Sequence, residues 1–252
     1  MPFYDQTPYD VRCEWGLQGL RALRDDCQVV IIVDVLSFTT CVEAAVANAA
    51  LIYPYAGEAE QAGEYAASLG AELAGHRPGE ARYWLSPTAL TSIPPATRLV
   101  LPSPNGSMLS LQGGSAHTFA GCLRNAGAVA RAAAELGSKI AVIPAGERWP
   151  GGGTRPALED LLGAGAVVHE LDGSLSPEAQ AARYAFERFA GEEAGLEHAL
   201  LGCSSGRELL ERGRRADVLY AAYWNVGTTV PRLFDGAYQR DVPAEMQGRN
   251  AD

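Results

Sequence analysis

Four acidic residues in this chain stand where an acid could do chemistry. Asp34 closes the apolar run Val29-Val30-Ile31-Ile32-Val33. A carboxylate at the tip of such a run is costly to bury unless it is hydrogen-bonded, paired or bound to a metal. It would either accept backbone N–H groups at a strand-to-helix turn or hold a cation. Glu147 follows a second apolar run, and Glu159 and Asp160 stand side by side further on. All are hard oxygen donors of the kind Mg2+ takes one or two at a time, completing its shell with water and phosphate oxygens. Glu159 and Asp160 lie about 100° apart on a helix, so at most one of them points directly at a given ligand. Acids in a first helical turn also suit the positive end of the helix dipole, which is their other reading.

A second feature is Ser103-Pro104-Asn105-Gly106-Ser107, which has the form of an anion cradle. Gly106 permits a left-handed or tightly turned backbone. Two hydroxyls, an amide and N–H groups at a helix start suit a phosphate or sulfonate. Pro and Asn-Gly are also ordinary turn residues, so a plain turn is the alternative. Further polar groups are expected at strand ends: Ser37, Thr39 and Thr40 after Asp34, then Cys122, Arg124 and Asn125, then Arg148 beside Glu147. Other chemistries are excluded. An aspartyl-phosphate mechanism of the haloacid-dehalogenase kind needs a second Asp two positions after Asp34, where Leu36 stands. There is no P-loop and, among four histidines, no H-E-x-x-H zinc motif. The five cysteines form no C-x-x-C pair, so buried free thiols in a reducing cytoplasm are expected; Cys122 is read as one of them and not as a nucleophile.

These residues need a scaffold, and the chain has the length for one. Its 252 residues are 47% hydrophobic and 20% charged, as in a globular protein. A net charge of −10 argues against nucleic acid as a partner. No apolar stretch is long enough to span a membrane, and the first residues do not resemble a secretory signal. Strands are expected at 28–35, 51–55, 97–101, 116–120 and 139–144, and helices at 41–48, 57–69, 108–111, 125–136, from about 156, 176–189 and 205–212. Residues 75–97 and 146–156 read as loops, and 216–220 as a late strand or a helix start. The alternation of strand and helix predicts an α/β fold with a mixed, largely parallel sheet flanked by helices. In such sheets ligands gather beyond the carboxyl ends of the strands. Gly163-Ala164-Gly165-Ala166 predicts close packing of the helix that carries Glu159 and Asp160, because glycine otherwise weakens a helix. One domain over 1–243 is expected, with two lobes as the alternative and a mobile tail over 244–252. Tyr220, Tyr223, Trp224, Val226, Val230 and Phe234 are expected to be mostly core, with some available for a homodimer interface.

Together, Val33-Asp34-Val35-Leu36-x-x-Thr39-Thr40, Leu85-Ser86-Pro87, Ser103-x-Asn105-Gly106-Ser107, Asn125-Ala126, Ala145-Gly146-Glu147 and Leu158-Glu159-Asp160 resemble the 2-phosphosulfolactate phosphatase family. The resemblance covers about Val29 to Pro231. It implies a mixed α/β fold particular to that family and a magnesium-dependent hydrolase that cleaves 2-phospho-3-sulfolactate to sulfolactate and phosphate, a step in coenzyme M formation. Asp34, Glu147 and Glu159 or Asp160 would hold Mg2+. Asp34, Glu147 and Asn105 would be catalytic, and Ser37, Thr39, Thr40, Ser103, Gly106, Ser107 and Asn125 would contact a small phosphorylated acid. The chain departs from the family pattern at Ser37-Phe38 and at Met108, where an arginine is usual, and at Gly75-His76-Arg77, where the acid is missing. Arg124 or Arg148 could replace a lost arginine, and Phe38 could wall a pocket for a less anionic ester. The alternatives are therefore a phosphatase for a different ester and a non-catalytic anion-binding homologue.

Overall fold

The computed structural model describes residues 3–75 and 77–241. The chain opens with β1 (Val11–Cys13) and α1 (Gly16–Leu23). β2 (Val29–Val33) leads into α2 (Phe38–Ala47), and β3 (Leu51–Tyr55) into α3 (Ala59–Ser68). Next come β4 (Glu72–Leu73), α4 (Pro87–Leu90), β5 (Arg98–Pro102) and α5 (Gly106–Ser110). β6 (His117–Gly121), α6 (Ala126–Leu136) and β7 (Ile140–Pro144) follow. A small hairpin of β8 (Glu147–Arg148) and β9 (Thr154–Arg155) precedes α7 (Leu158–His169). The helices α8 (Pro177–Ala190), α9 (Gly195–Gly202), α10 (Ser204–Glu211) and α11 (Arg215–Ala222) lead to the closing hairpin β10 (Pro231–Phe234) and β11 (Ala237–Arg240).

Nine strands form one sheet in the order β1-β7-β2-β6-β10-β11-β3-β5-β4. β1, β7, β2 and β6 are parallel neighbours, as are β3, β5 and β4. The β10–β11 hairpin joins the two blocks with antiparallel pairing on both sides. The ladder on each outer side of the hairpin has one residue pair, Arg232 with Phe119 and Tyr238 with Ile52. The two parallel blocks therefore run in opposite senses and meet at a narrow joint. β2 is buried at all five positions, which explains its unbroken apolar character: helices cover both of its faces. One core cluster lies between β1, β2, β6 and β7 and helices α6 to α11. A second packs α1 on the opposite face of β2 and β7. A third holds α2 against β3 and β5.

The glycine pattern of α7 is a packing requirement. A Cβ on Gly165 would lie 2.1 Å from the carbonyl oxygen of Ala182 in α8, and one on Gly163 would lie 2.5 Å from Val35. α7 is thereby pressed against both α8 and the turn after β2. Ser176 caps α8, its Oγ accepting the N–H of Ala179 at 3.1 Å, with Pro177 in the first turn.

Several expectations change. Residues 75–97 contain a short helix, α4, whose N-cap Ser86 donates to Asp217 Oδ1 at 2.7 Å. Asp217 also accepts from Thr88 and from Arg214 Nε at 2.8 Å. The Leu85-Ser86-Pro87 motif is thus a structural clamp onto α11. Residues 216–220 belong to that helix and not to a strand. The C-terminal aromatic region is not mostly core: Tyr223 and Val226 are 61% and 57% exposed, and Tyr220, Val230 and Phe234 are half-buried. Residues 223–230 have no regular structure, and the buried ring of the closing hairpin is Tyr238, which meets Phe38 edge-on. Among the described residues no helix is long and apolar enough to cross a membrane. The tail over 244–252 and His76 lie outside the described residues.

Gly165→Ala should lower stability by about 1–3 kcal/mol, because the added methyl collides with backbone and cannot be absorbed by a rotamer change. Urea unfolding checks this; an unchanged midpoint would mean that α8 yields freely.

Candidate active site

Asp34 is the first residue after β2 and is 6% exposed. Its Oδ2 accepts the N–H of Gly106 at 2.8 Å and the Ser103 hydroxyl at 3.4 Å, and its Oδ1 accepts the N–H of Phe38 at 3.3 Å. The turn after β5 therefore closes onto the turn after β2. Gly106 is needed here for close approach and not for an unusual φ: a Cβ would sit 2.3 Å from the Phe38 ring and 2.7 Å from Asp34 Oδ2. This corrects the expectation of a vacant anion cradle, since the Gly106 N–H points at Asp34. A buried carboxylate at a strand tip draws the nearest N–H donors to itself.

Asp160, in the first turn of α7, joins two other loops. Its Oδ1 accepts the N–H of Val35 at 2.7 Å and its Oδ2 that of Gly146 at 2.8 Å. One side chain thus ties the turn after β2 to the turn after β7. Glu159 is 2% exposed, and among the described residues its Oε2 has no hydrogen-bond partner. The Cys203 thiol lies beside it and is pushed up to about 12, chiefly by burial. Glu147 stands at the start of the β8–β9 hairpin, where Asn105 Nδ2 donates to its Oε2 at 2.9 Å.

Three of the acids are shifted by burial and by their acidic neighbours. Burial raises Asp34 to about 6, and the charge of Glu159 adds to this. Burial, then the charges of Asp34 and Glu159, raise Glu147 to about 7. Burial and the same two charges hold Asp160 well above the usual carboxylate range. None of the four is in an ion pair among the described residues. Four like charges without a counter-ion, with one carboxylate oxygen unpartnered, form a donor set that suits a hard cation. As they stand, no three His, Cys, Asp or Glu among the described residues are close enough to hold an ion together. The arrangement therefore fits an ion held by one or two acids with water and ligand oxygens, as Mg2+ is commonly held.

The remaining predicted residues separate by what their side chains already do. Thr39 Oγ1 donates to Asp34 O at 2.8 Å, Thr40 Oγ1 to Val35 O at 2.7 Å and Ser107 Oγ to Leu101 O at 2.8 Å. All three are fully buried and shape the turns. Asn125 is also fully buried: its amide donates to Ala120 O and Thr229 O, and its Oδ1 accepts from Cys122 N at 2.9 Å. These four side chains support the site's walls and offer a ligand nothing further. Ser37 differs, because its hydroxyl has no partner among the described residues. Phe38 is completely buried and walls no pocket. Arg124 is engaged by Glu43 Oε2 at 2.9 Å and lies 3.7 Å over the Tyr220 ring, so it does not replace a lost arginine. Burial puts Cys122 at about 12, consistent with an inert thiol.

Two arginines do flank the acids. Arg148 Nη2 donates to Pro104 O at 2.6 Å, and Arg155 Nη2 to Ser205 Oγ at 3.4 Å. Among the described residues neither has a carboxylate within an ion-pair distance, and Arg155 pulls Glu147 downward. Arg155 and Ser205 are invisible to motif reading: the hairpin register sets Arg155 opposite Glu147, and its sequence reads only as a glycine-rich loop. A cavity of about 340 Å3 is lined by Asn105, Glu147, Arg148 and Met108 among others.

Comparison with known proteins gives a consistent result. A family model described as 2-phosphosulpholactate phosphatase matches residues 19–236. A protein named 2-phosphosulfolactate phosphatase from Methanothermobacter thermautotrophicus is 30% identical over 212 residues, covering 82% of this chain and 87% of that protein. A probable 2-phosphosulfolactate phosphatase from Gloeobacter violaceus is 29% identical over 216 residues, covering 82% and 88%.

The acid cluster has a pH signature. Folded-state values of about 6 for Asp34 and about 7 for Glu147 exceed their ordinary values, so the folded chain binds more protons than the unfolded chain in this range. Stability then falls as pH rises through it. With divalent cations chelated, Tm should rise by several degrees between pH 7.5 and pH 5, at about 2–4 °C per kcal/mol. Glu147→Gln should reduce that slope. A Tm that falls on acidification over this range contradicts the clustering.

Proposed function

The chain belongs to the 2-phosphosulpholactate phosphatase family, and on that premise we propose that it hydrolyses a phosphate monoester, 2-phospho-3-sulfolactate in the first instance, with Mg2+ as cofactor. The observation that carries the metal half of this reading is the unpartnered Oε2 of Glu159, whose charge helps to raise Asp34, Glu147 and Asp160. The phosphate half is supported by the family and by the names of its relatives.

One or two of Asp34, Glu147 and Glu159 would hold the ion directly, and the rest would reach it through water. When bound, it supplies positive charge and Lewis-acid polarisation to the phosphoryl group. Asp160 acts through the backbone, fixing the Val35 and Gly146 amides and so the spacing of the Asp34 and Glu147 loops. Asn105 holds Glu147 by one oxygen and leaves Oε1 for other work. Where the ion is held by the other acids, that free oxygen would accept a proton from the attacking water. Ser37 offers a free hydroxyl, and Arg148 and Arg155 offer guanidinium groups for an anionic substrate. The water oxygen bonds to phosphorus, the ester P–O bond breaks, and the alcohol leaves with a proton.

Phosphate release from 2-phosphosulfolactate should require Mg2+ and stop with EDTA. Asp34→Asn and Glu159→Gln should each lower kcat/KM at least about 100-fold, the scale of a lost electrostatic contact in a transition state. Full activity in EDTA would overturn the metal assignment, and no release from any phosphate ester would overturn the hydrolase.

A further inference from the structure

Beside Ser103 the molecule carries a second, larger hollow. A cavity of about 540 Å3 runs against α3 and is walled by Tyr55, Ala62, Leu73, Pro102 and Met108, with Ser103 also in its lining. The same Ser103 hydroxyl touches Asp34, so the hollow adjoins the acid cluster. Met108 and Arg148 line this cavity and the smaller one that contains Glu147. The reactive groups and the apolar walls thus lie on two sides of one ridge.

Its chemistry is one-sided. Among the described residues Arg148 is the single charged group in the lining, and its guanidinium is directed at Pro104 O and Met108 Sδ. An anionic group entering here would find one counter-charge, Arg148, at one side, and would lose its water against apolar walls over the rest of the lining. The volume is also generous. At about 540 Å3 it is within the usual range of small-molecule sites. Apolar walls with a few polar groups at one end are the usual form of a site for an organic ligand.

We propose that this cavity receives the alcohol portion of a second substrate class: phosphate monoesters of apolar alcohols, with an alkyl chain or ring lying against α3 and the phosphate directed toward Ser103 and the acids. The proposal rests on the phosphatase reading above and extends it, using the same exchange of water for alcohol at phosphorus.

A ladder of ethyl, butyl and hexyl phosphate keeps the leaving group chemically constant and varies only buried length. KM in Mg2+ should fall about fourfold per methylene, the equivalent of about 0.8 kcal/mol for each buried CH2, until the cavity is full. Ala59→Trp, at an exposed wall position that a large ring would block, should flatten the ladder while leaving ethyl phosphate turnover within about twofold. Calorimetry with the matching alkylphosphonates, which cannot be hydrolysed, measures the same ladder as Kd. A flat ladder in both KM and Kd overturns the proposal, as does turnover of 2-phosphosulfolactate with none of hexyl phosphate. If no ester is turned over, the hydrolase reading fails; a phosphonate ladder that Ala59→Trp abolishes then still supports the cavity's ligand class, and its absence refutes it.

Discussion

The Asp160 carboxylate is the contact on which the rest of the site depends. Its two oxygens hold two backbone amides, Val35 and Gly146, that stand in the turns after the neighbouring strands β2 and β7 and carry Asp34 and Glu147 beside them. A carboxylate bonded by charge-assisted N–H donors is a firm link, and it places negative charge at the centre of the group it organises. The glycine-lined seating of α7 is part of the same constraint. Asp160 reaches both loops only because the helix lies within van der Waals distance of Val35 on one side and Ala182 on the other.

That arrangement concentrates charge where a stability-optimised fold would not. Asp34, Glu147 and Asp160 are all shifted upward by burial and by one another, which opposes folding at neutral pH. The protein offsets this with an extensive apolar interior around β2 and β7 and with polar clamps away from the acids. The Ser86–Asp217–Arg214 network and the Glu43–Arg124 pair stacked on Tyr220 are such clamps. Conflict of this kind between local electrostatics and fold stability is what a functional site is expected to show.

The surroundings of the acids divide the work between positioning and recognition. Thr39, Thr40, Ser107 and Asn125 turn their polar atoms back onto the main chain. Among the described residues the groups left for a ligand are few: the largely buried Ser37 hydroxyl, Glu147 and the two hairpin arginines. Beyond the Met108–Arg148 ridge the walls become apolar, so the region beside the acid cluster changes character within one side chain's breadth.

Much of this was legible in the chain itself. The apolar run ending in Asp34, the strand–helix alternation, the Asn105-Gly106 turn and the small residues of α7 each encode a local physical demand, and local demands can be read from adjacent residues. The helix starts at Ser176 and Pro177 were equally plain. Partner choice was a different matter. Only the tertiary structure decided that the Gly106 amide serves Asp34, that Asp160 binds two loops while its neighbour Glu159 keeps a bare oxygen, and that Arg155 lies opposite Glu147. It likewise decided that the C-terminal hairpin is inserted between two oppositely directed blocks, leaving Tyr223 and Val226 at the surface. A residue's type and spacing fix what it can bond, but the bond it makes depends on which groups, distant in the chain, the packing brings within about 3 Å.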